Sequence, residues 1–239
     1  MGKIAIRAVL LDAGGVLLHP HFDWVVEQAA ERALRVTRDA LHLAYYRAIY
    51  SVDIDDVGQR EGMAVDSDEI RRFLMVKLLV HAGVGLDDAE PAAAALAKAA
   101  SERFPRESDI FHFAMPGLRE RLERLRDAGF LLGVASNNDG ALEAQLENVG
   151  VRDLFEVRLD SGIEGVAKPD PEFLLRAARR MDVEPGDCLY IGDIDRVDGA
   201  AARGAGMHFA LLDPLAQPRA SKPRTIRDLD EVTRIANAI

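Results

Sequence analysis

Three apolar runs in this chain end in a polar residue that is able to bind an ion or take part in a reaction. Asp12 follows AVLL, Ser136 follows FLLGVA and Asp193 follows CLYIG. Side chains at the carboxyl ends of parallel strands meet in the crevice where ligands bind, so these residues are predicted to face one site. Lys168 lies in a loop expected at the same edge. Carboxylates that end apolar runs are costly to bury unless a positive charge is near, which favours a metal site.

The segments that would position these residues alternate between strand and helix patterns. The predicted strands are 4–11, 130–135, 156–159, 188–191 and 207–212, and the predicted helices are 117–128, 139–148, 171–181, 197–204 and a last one from about 225. Such alternation implies right-handed crossovers and a parallel sheet that is covered on both faces. The predicted fold class is therefore α/β, with a Rossmann-like parallel sheet.

A second region of the chain is purely helical in its pattern. Amphipathic helices are predicted over 24–36, 38–50, 68–81 and 89–104, with no convincing strand between them. We therefore predict an α/β core domain made of 1–17 and 112–239, into which a helical domain of 18–111 is inserted.

Composition narrows the range of partners and compartments. A net charge of −10 over 239 residues argues against nucleic acid or an anionic membrane as partner. The single cysteine, Cys188, excludes an internal disulfide, suits a reducing, cytoplasmic location and is expected to be a buried small side chain. Asp12 interrupts the apolar N-terminal stretch, so a signal peptide is not expected, and no stretch has the length of a membrane span. Whether the protein is a monomer or a homodimer is left open.

Four short motifs in order resemble the haloacid dehalogenase (HAD) superfamily, and the resemblance covers essentially the whole chain. They are Asp12-Ala-Gly-Gly-Val16, Ser136-Asn137, Lys168-Pro169 and Gly192-Asp-Ile-Asp-Arg-Val-Asp198. Each motif alone is weak, but their order leaves little room for coincidence. The helical insertion falls where the family's C1 cap falls, between the first and second motifs.

The resemblance implies an aspartyl-phosphate mechanism that depends on Mg²⁺. Asp12 would attack phosphorus as the nucleophile, and water would then hydrolyse the acyl phosphate. The implied metal ligands are Asp12, the backbone carbonyl of Gly14 and Asp193. The implied phosphoryl-binding groups are Lys168, the Ser136 hydroxyl and the N–H of Asn137 at the mouth of a helix. Asp198 would orient Lys168 or the water shell of the metal, whereas Asp195 is expected to face solvent.

The sequence departs from the family pattern at Gly14, where phosphatases of this family carry a second Asp. That Asp protonates the leaving oxygen and activates the hydrolytic water, and loss of such catalysis typically costs about 10²- to 10⁴-fold. The result would be a slow enzyme, or one restricted to good leaving groups such as anomeric or acyl phosphates. His19 and His21 are tentative replacements for the acid, since imidazole titrates in the useful range. The alternative is that both are exposed linker histidines.

The sequence is therefore compatible with three functions. The first is a phosphatase acting on a small phosphorylated metabolite. The second is a catalytically weak or non-catalytic binding protein that has lost the residue at position 14. The third is a 2-haloacid dehalogenase, which Asp193 and Asp198 disfavour, because a carbon-attacking enzyme has no use for carboxylates that repel its nucleophile.

Overall fold

The computed structural model describes residues 6–54, 68–104 and 110–239. The chain divides into two compact units, one made of Met1–His19 with Phe111–Ile239 and the other of Pro20–Ile110. The boundaries predicted from the sequence are 17/18 and 111/112.

The first unit contains the strands. They are β1 (Ala8–Leu11), β2 (Leu18–Pro20, which ends in the second unit), β3 (Phe111–Ala114), β4 (Leu131–Ser136), β5 (Val157–Asp160), β6 (Cys188–Gly192), β7 (His208–Leu212) and β8 (Thr225–Ile226). In space the main sheet has the order β5-β4-β1-β6-β7-β8, with parallel pairing throughout, and β2 pairs with β3 in a separate two-stranded sheet. The predicted α/β fold with a parallel sheet is confirmed.

The helices follow in chain order. They are α1 (Phe22–Ala30), α2 (Arg38–Ile54), α3 (Asp68–His81), α4 (Leu86–Arg103), α5 (Leu118–Asp127), α6 (Leu142–Asn148), α7 (Ser161–Glu164), α8 (Pro171–Met181), α9 (Ala200–Gly204) and α10 (Val232–Ala236). The predicted bounds of α3 and α8 coincide with those observed, whereas α4 begins three residues earlier than its predicted start at 89.

Helices cover the main sheet on both faces. Along β1, Val9 and Leu11 belong to one apolar cluster, whereas Ala8 and Leu10 belong to another, as expected from the alternation of side chains along a strand. The first cluster also contains residues of α5, α6 and α10, and the second contains residues of α8 and α9. Because β1 is buried on both faces, its sequence is continuously apolar up to Asp12.

The predicted last helix from about 225 is wrong at its start. Thr225 and Ile226 form β8, which pairs in parallel with Leu211 and Leu212 of β7, and α10 begins only at Val232. The predicted helix 197–204 is also modified, because 195–199 form one turn of wider π-helical winding before α9. At β8, pairing with β7 overrides the local helical pattern.

The second unit contains α1 to α4 and is held by aromatic contacts. The rings of Phe22 and Tyr45 meet edge to face with centroids 6.4 Å apart, and those of Trp24 and Phe104 with centroids 5.3 Å apart. Helix α1 ends at Ala30 rather than at the predicted residue 36. Across the described parts of the chain, no helix combines the length and the apolar character needed to cross a bilayer.

Candidate active site

The register of three central strands brings the strand-end residues of the sequence to one edge. Leu11, the last residue of β1, lies opposite Val134 of β4 and Ile191 of β6. The next residue, Asp12, donates its backbone N–H to the carbonyl of Ile191 over 2.8 Å. Ser136 and Asp193 therefore follow in the same region, at the carboxyl ends of β4 and β6.

Three carboxylates gather at this edge, from Asp12, Asp193 and Asp198. Each offers an oxygen within 4.8 Å of those of the others, and all three residues are buried. Burial raises the pKa of Asp12 to about 6, with the neighbouring Asp198 adding to the rise and Lys168 opposing it. Burial also raises the pKa of Asp193 well above its usual range, and the carboxylates of Asp198 and Asp12 add repulsion.

Lys168 is the positive group of this cluster. Its Nζ lies 2.9 Å from Oδ1 of Asp12, 2.7 Å from Oδ1 of Asp198 and 2.8 Å from the hydroxyl of Tyr190. An ammonium has three N–H donors, so these three acceptors match its capacity. Burial acts to lower the pKa of Lys168, but the two carboxylates outweigh this effect and raise it.

The residues of the cluster fit a divalent cation. Three carboxylates against one ammonium leave an excess of two negative charges when all four groups are ionised. Within the described residues, Oδ2 of Asp193 is buried and has no hydrogen-bond partner. A buried carboxylate oxygen without a partner is costly, and hard cations prefer oxygen ligands, so this donor set could hold a metal ion.

The carboxylate of Asp198 accepts hydrogen bonds from the groups around it. Its Oδ1 accepts from Lys168, and its Oδ2 accepts from the backbone N–H groups of Asp193 (3.1 Å) and Ile194 (3.0 Å). Gly192 makes this approach possible, because a Cβ at that position would lie 2.3 Å from Cγ of Asp198. The contact with Lys168 is the one that the first predicted role of Asp198 requires, and both predicted roles stay predictions.

Asn137 holds the loop that carries Lys168. Its side-chain oxygen accepts from the backbone N–H of Lys168, and its side-chain nitrogen donates to the carbonyl of Lys168, both over 2.9 Å. Ser136 beside it is buried. The prediction that Asn137 lies at the mouth of a helix is wrong, because α6 begins at Leu142. The carboxylate of Asp160 accepts the N–H of Leu142 over 3.2 Å and so occupies the first turn of that helix.

The structure leaves space for a Cβ at Gly14. A Cβ built at this position would meet no heavy atom of another described residue within 4 Å, and its φ is not in the left-handed region. Gly14 also forms an isolated parallel bridge with Leu18. The backbone therefore leaves room for a Cβ at position 14, and no steric constraint requires glycine there.

His19 and His21, the histidines predicted as replacement acids, lie in β2 and at the N-terminus of α1. His19 belongs to β2 and is only 1% exposed, so the alternative of an exposed linker histidine is wrong for it. His21 is the N-cap of α1, where its Nδ1 accepts the N–H of Trp24 over 3.3 Å. Their role as acids stays a prediction. The expectation that Asp195 faces solvent is wrong, because it is buried and pairs with Arg203 over 2.8 Å.

Sequence reasoning missed Tyr190. This residue of β6 is fully buried, accepts from Lys168 and donates its hydroxyl proton to the carbonyl of Ala135 over 2.9 Å. Burial raises its pKa well above the ordinary value, with Asp12 and Asp198 adding to the effect, so the phenol stays neutral. The available signal was a hydroxyl inside an apolar strand, since a buried Tyr usually finds a hydrogen-bond partner.

Comparisons with known proteins identify the family of this chain and agree with its fold. The family model of haloacid dehalogenase-like hydrolases matches residues 6–206. Phosphatase MT3486 of Mycobacterium tuberculosis (strain CDC 1551 / Oshkosh) is 30% identical over 236 residues, which cover 97% of this chain and 97% of that protein. The chain therefore belongs to the haloacid dehalogenase-like hydrolases, and the prediction of a hydrolase of this family is confirmed.

Two solved structures show the same fold. The putative HAD-hydrolase YfnB from Bacillus subtilis, bound to magnesium, is 20% identical with a TM-score of 0.63, over 98% of this chain and 99% of that one. The L-2-haloacid dehalogenase RSc1362 is 20% identical with a TM-score of 0.61, over 97% of this chain and 99% of that one. Since the second is a dehalogenase, the fold alone does not select the reaction.

Proposed function

We propose that this protein is a Mg²⁺-dependent phosphatase that acts on a small phosphorylated metabolite through an aspartyl-phosphate on Asp12. The observation that supports the proposal best is the buried cluster of Asp12, Asp193 and Asp198 around Lys168, which has an excess of two negative charges when all four groups are ionised. A dehalogenase that works without metal would have no cation to offset these charges. The similarity to phosphatase MT3486 supports the same choice.

We assign the cation to Asp12, Asp193 and the backbone carbonyl of Gly14. Mg²⁺ bound there would offset the repulsion between an anionic nucleophile and an anionic substrate. Gly14 can supply a carbonyl ligand without a side chain, so the departure at this position leaves the proposed metal site complete.

The protein's own residues would carry out the chemistry in two displacements. An oxygen of Asp12 attacks phosphorus, the bond from phosphorus to the leaving oxygen breaks, and that oxygen departs with the electron pair. Water then attacks the same phosphorus, which releases inorganic phosphate and restores the Asp12 carboxylate. Lys168, the Ser136 hydroxyl and the Asn137 N–H would bind the phosphoryl oxygens, while Asp198 keeps Lys168 in place.

Gly14 sets the proposed class of substrate. A departing alkoxide needs a proton, and a glycine cannot donate one from a side chain. Lys168 already meets three acceptors and Asp195 is paired with Arg203. We therefore expect substrates whose leaving group is stable as an anion, such as acyl or anomeric phosphates.

The test is a panel of phosphorylated metabolites and aryl phosphates, assayed with Mg²⁺ and with a chelator. We expect hydrolysis only with Mg²⁺, and its complete loss in Asp12→Asn. Asp182→Asn is the matched control, because it also neutralises one Asp but lies exposed at the end of α8, in the left-handed region that Asn tolerates. Turnover by Asp12→Asn at the wild-type rate would contradict the proposal.

The second candidate is a non-catalytic protein that binds a phosphorylated ligand, and Gly14 is the observation that favours it. This candidate predicts saturable binding of a phosphate mimic in calorimetry, without turnover of any member of the panel above the Asp12→Asn background. A dehalogenase would instead release chloride from a 2-haloacid without metal.

We infer that the helical unit, Pro20–Ile110, selects the substrate as a cap. The resemblance of its place in the chain to the family's C1 cap supports this inference. Substitutions confined to this unit are then expected to change the preference among metabolites, measured as ratios of kcat/KM, more than the hydrolysis of a small aryl phosphate. Equal effects on all substrates would contradict it.

A further inference from the structure

We propose that Tyr190 is a positioning residue that fixes the ammonium of Lys168 for phosphoryl transfer. The proposal rests on the proposed function, because Lys168 is assigned there to the phosphoryl oxygens. Tyr190 lies outside the four motifs, and its contribution follows from the contacts of its hydroxyl group.

The direction of the hydrogen bond from Lys168 to Tyr190 is fixed by a second hydrogen bond. The Tyr190 hydroxyl lies 2.9 Å from the carbonyl of Ala135 and 3.5 Å from Oδ1 of Asp198, so its single proton goes to the shorter contact. Only its lone pairs are then available to Nζ of Lys168 at 2.8 Å. Ala135 directly precedes Ser136, so the same hydroxyl joins β4, β6 and the Lys168 loop.

The three acceptors around Lys168 differ in how firmly they are held. Tyr190 and Asp198 are at most 1% exposed, and Oδ2 of Asp198 is bound by two backbone N–H groups. Asp12 is 9% exposed and is the proposed nucleophile. When Asp12 carries a phosphoryl group, the Lys168 N–H that Asp12 accepted turns to a phosphoryl oxygen, while the other two stay with Asp198 and Tyr190.

Tyr190 and Asp198 hold Lys168 in different ways. The attraction between Asp198 and Lys168 is a charge interaction, which tolerates movement of a flexible lysine side chain. Tyr190 instead presents one oxygen on a rigid ring anchored in the sheet. Loss of that oxygen leaves one ammonium N–H without its acceptor and lets Nζ move away from the phosphoryl position.

The experiment compares Tyr190→Phe with wild type and with Thr225→Val. The control removes a hydroxyl that also donates to a backbone carbonyl, that of Pro223 over 3.1 Å, but it does so in β8, two strands away from β6. Three quantities are measured for each protein. They are kcat and KM with Mg²⁺, the thermal midpoint, and the exchange rate of the Lys168 ammonium protons by ¹H–¹⁵N NMR, with the signal assigned by its absence in Lys168→Arg.

For Tyr190→Phe we expect kcat to fall roughly 10-fold, a typical effect of removing a group that orients an active-site residue. KM should change less, and the Lys168 ammonium protons should exchange faster with water. Thr225→Val should match wild type in kcat and in ammonium exchange. A role of Tyr190 in folding alone would lower the thermal midpoint of Tyr190→Phe without changing either quantity in the folded protein.

Wild-type kcat together with wild-type ammonium exchange in Tyr190→Phe would overturn the proposal. Should the wild-type protein hydrolyse no phosphate, the proposed function fails, and the ammonium exchange alone decides whether Tyr190 holds Lys168. Unchanged exchange in that case would also overturn the proposal.

Discussion

Two regions of the α/β unit contain ion pairs of similar length in opposite surroundings. At the strand ends, Lys168 and Asp12 approach to 2.9 Å with side chains that are 1% and 13% exposed. On the surface, Arg119 and Asp153 approach to 2.8 Å with side chains that are 43% and 63% exposed. The distances are nearly equal, so distance cannot explain why one pair belongs to the candidate site.

The difference lies in solvation. Arg119 pairs with Glu123 as well, over 2.8 Å, and its hydrogen bonds to Asp153 hold the pKa of that carboxyl at about 2. Water and salt screen such a pair, so it contributes little to stability. The strand-end cluster is buried and carries more acids than bases. Buried ionisable groups with shifted pKa values beside a charged partner are typical of functional sites.

The largest expected effect comes from adding a carboxylate to the cluster. Gly14→Asp should accelerate hydrolysis of alkyl phosphates by up to about 10²- to 10⁴-fold, because it supplies the missing general acid, with a smaller gain for aryl phosphates. A plot of log(kcat/KM) against the pKa of the leaving group should therefore be steep for wild type and flatter for Gly14→Asp.

The matched control for Gly14→Asp is Gly186→Asp. Position 186 is likewise free of heavy atoms within 4 Å of a built Cβ, and it precedes β6 instead of following β1. We expect wild-type kinetics for this variant. Equal slopes for wild type and Gly14→Asp would mean that another group already donates the proton.

Replacing Lys168 should lower the free energy of unfolding much more than replacing Arg119. Lys168→Met leaves three buried carboxylates without a counter-charge, and breaking a buried pair in this way costs about 3 to 5 kcal/mol of unfolding free energy. Arg119→Met removes a cation of the exposed pair and should leave the urea midpoint unchanged. Both are measured by urea denaturation with a chelator present. Similar losses for the two variants would show that burial does not distinguish the regions.

Removing one acid tests the charge excess directly. Wild type should be stabilised by Mg²⁺, by about 2.7 kcal/mol at a concentration 100 times the Kd, and Asp193→Asn should lose this gain. Without metal, Asp193→Asn should be at least as stable as wild type, because it removes a buried carboxyl group whose Oδ2 has no hydrogen-bond partner among the described residues. Asp153→Asn is the exposed control and should keep the full response to Mg²⁺ in thermal denaturation. An unchanged response in Asp193→Asn would exclude Asp193 as a ligand.

The elements that position the cluster were predictable because their signals are local. The apolar runs before Asp12 and Asp193 are strands, as expected of a sheet buried on both faces, and the periodic pattern of 171–181 gives the observed bounds of α8. Strand β8 has only two residues, too few to show a period, and it exists because β7 offers it a partner.

The inner contacts of the cluster were less predictable because they join distant parts of the chain. Tyr190 meets Lys168, which lies 22 positions away, and a tyrosine in an apolar run is by itself typical of core packing. The start of α6 depends on the carboxylate of Asp160, 18 positions beyond Leu142. Spacing predicted which residues gather at the strand ends, whereas the hydrogen bonds among them depend on the folded geometry.

The smallest expected effect concerns Cys188, a buried ionisable group at the other end of β6. Burial raises the pKa of its thiol to about 11, with Asp187 adding to the rise, so the thiol remains neutral in this environment. Because the thiolate is the reactive form, Ellman's reagent should not label the native protein at pH 8 and should label one thiol after unfolding in urea. An introduced surface cysteine, Asp153→Cys, should react at once. Rapid labelling of native Cys188 would contradict its burial. If it stays inert, burial in this sheet suppresses the reactivity of an isolated ionisable group, whereas the buried carboxylates of Asp12 and Asp198 lie beside the charge of Lys168.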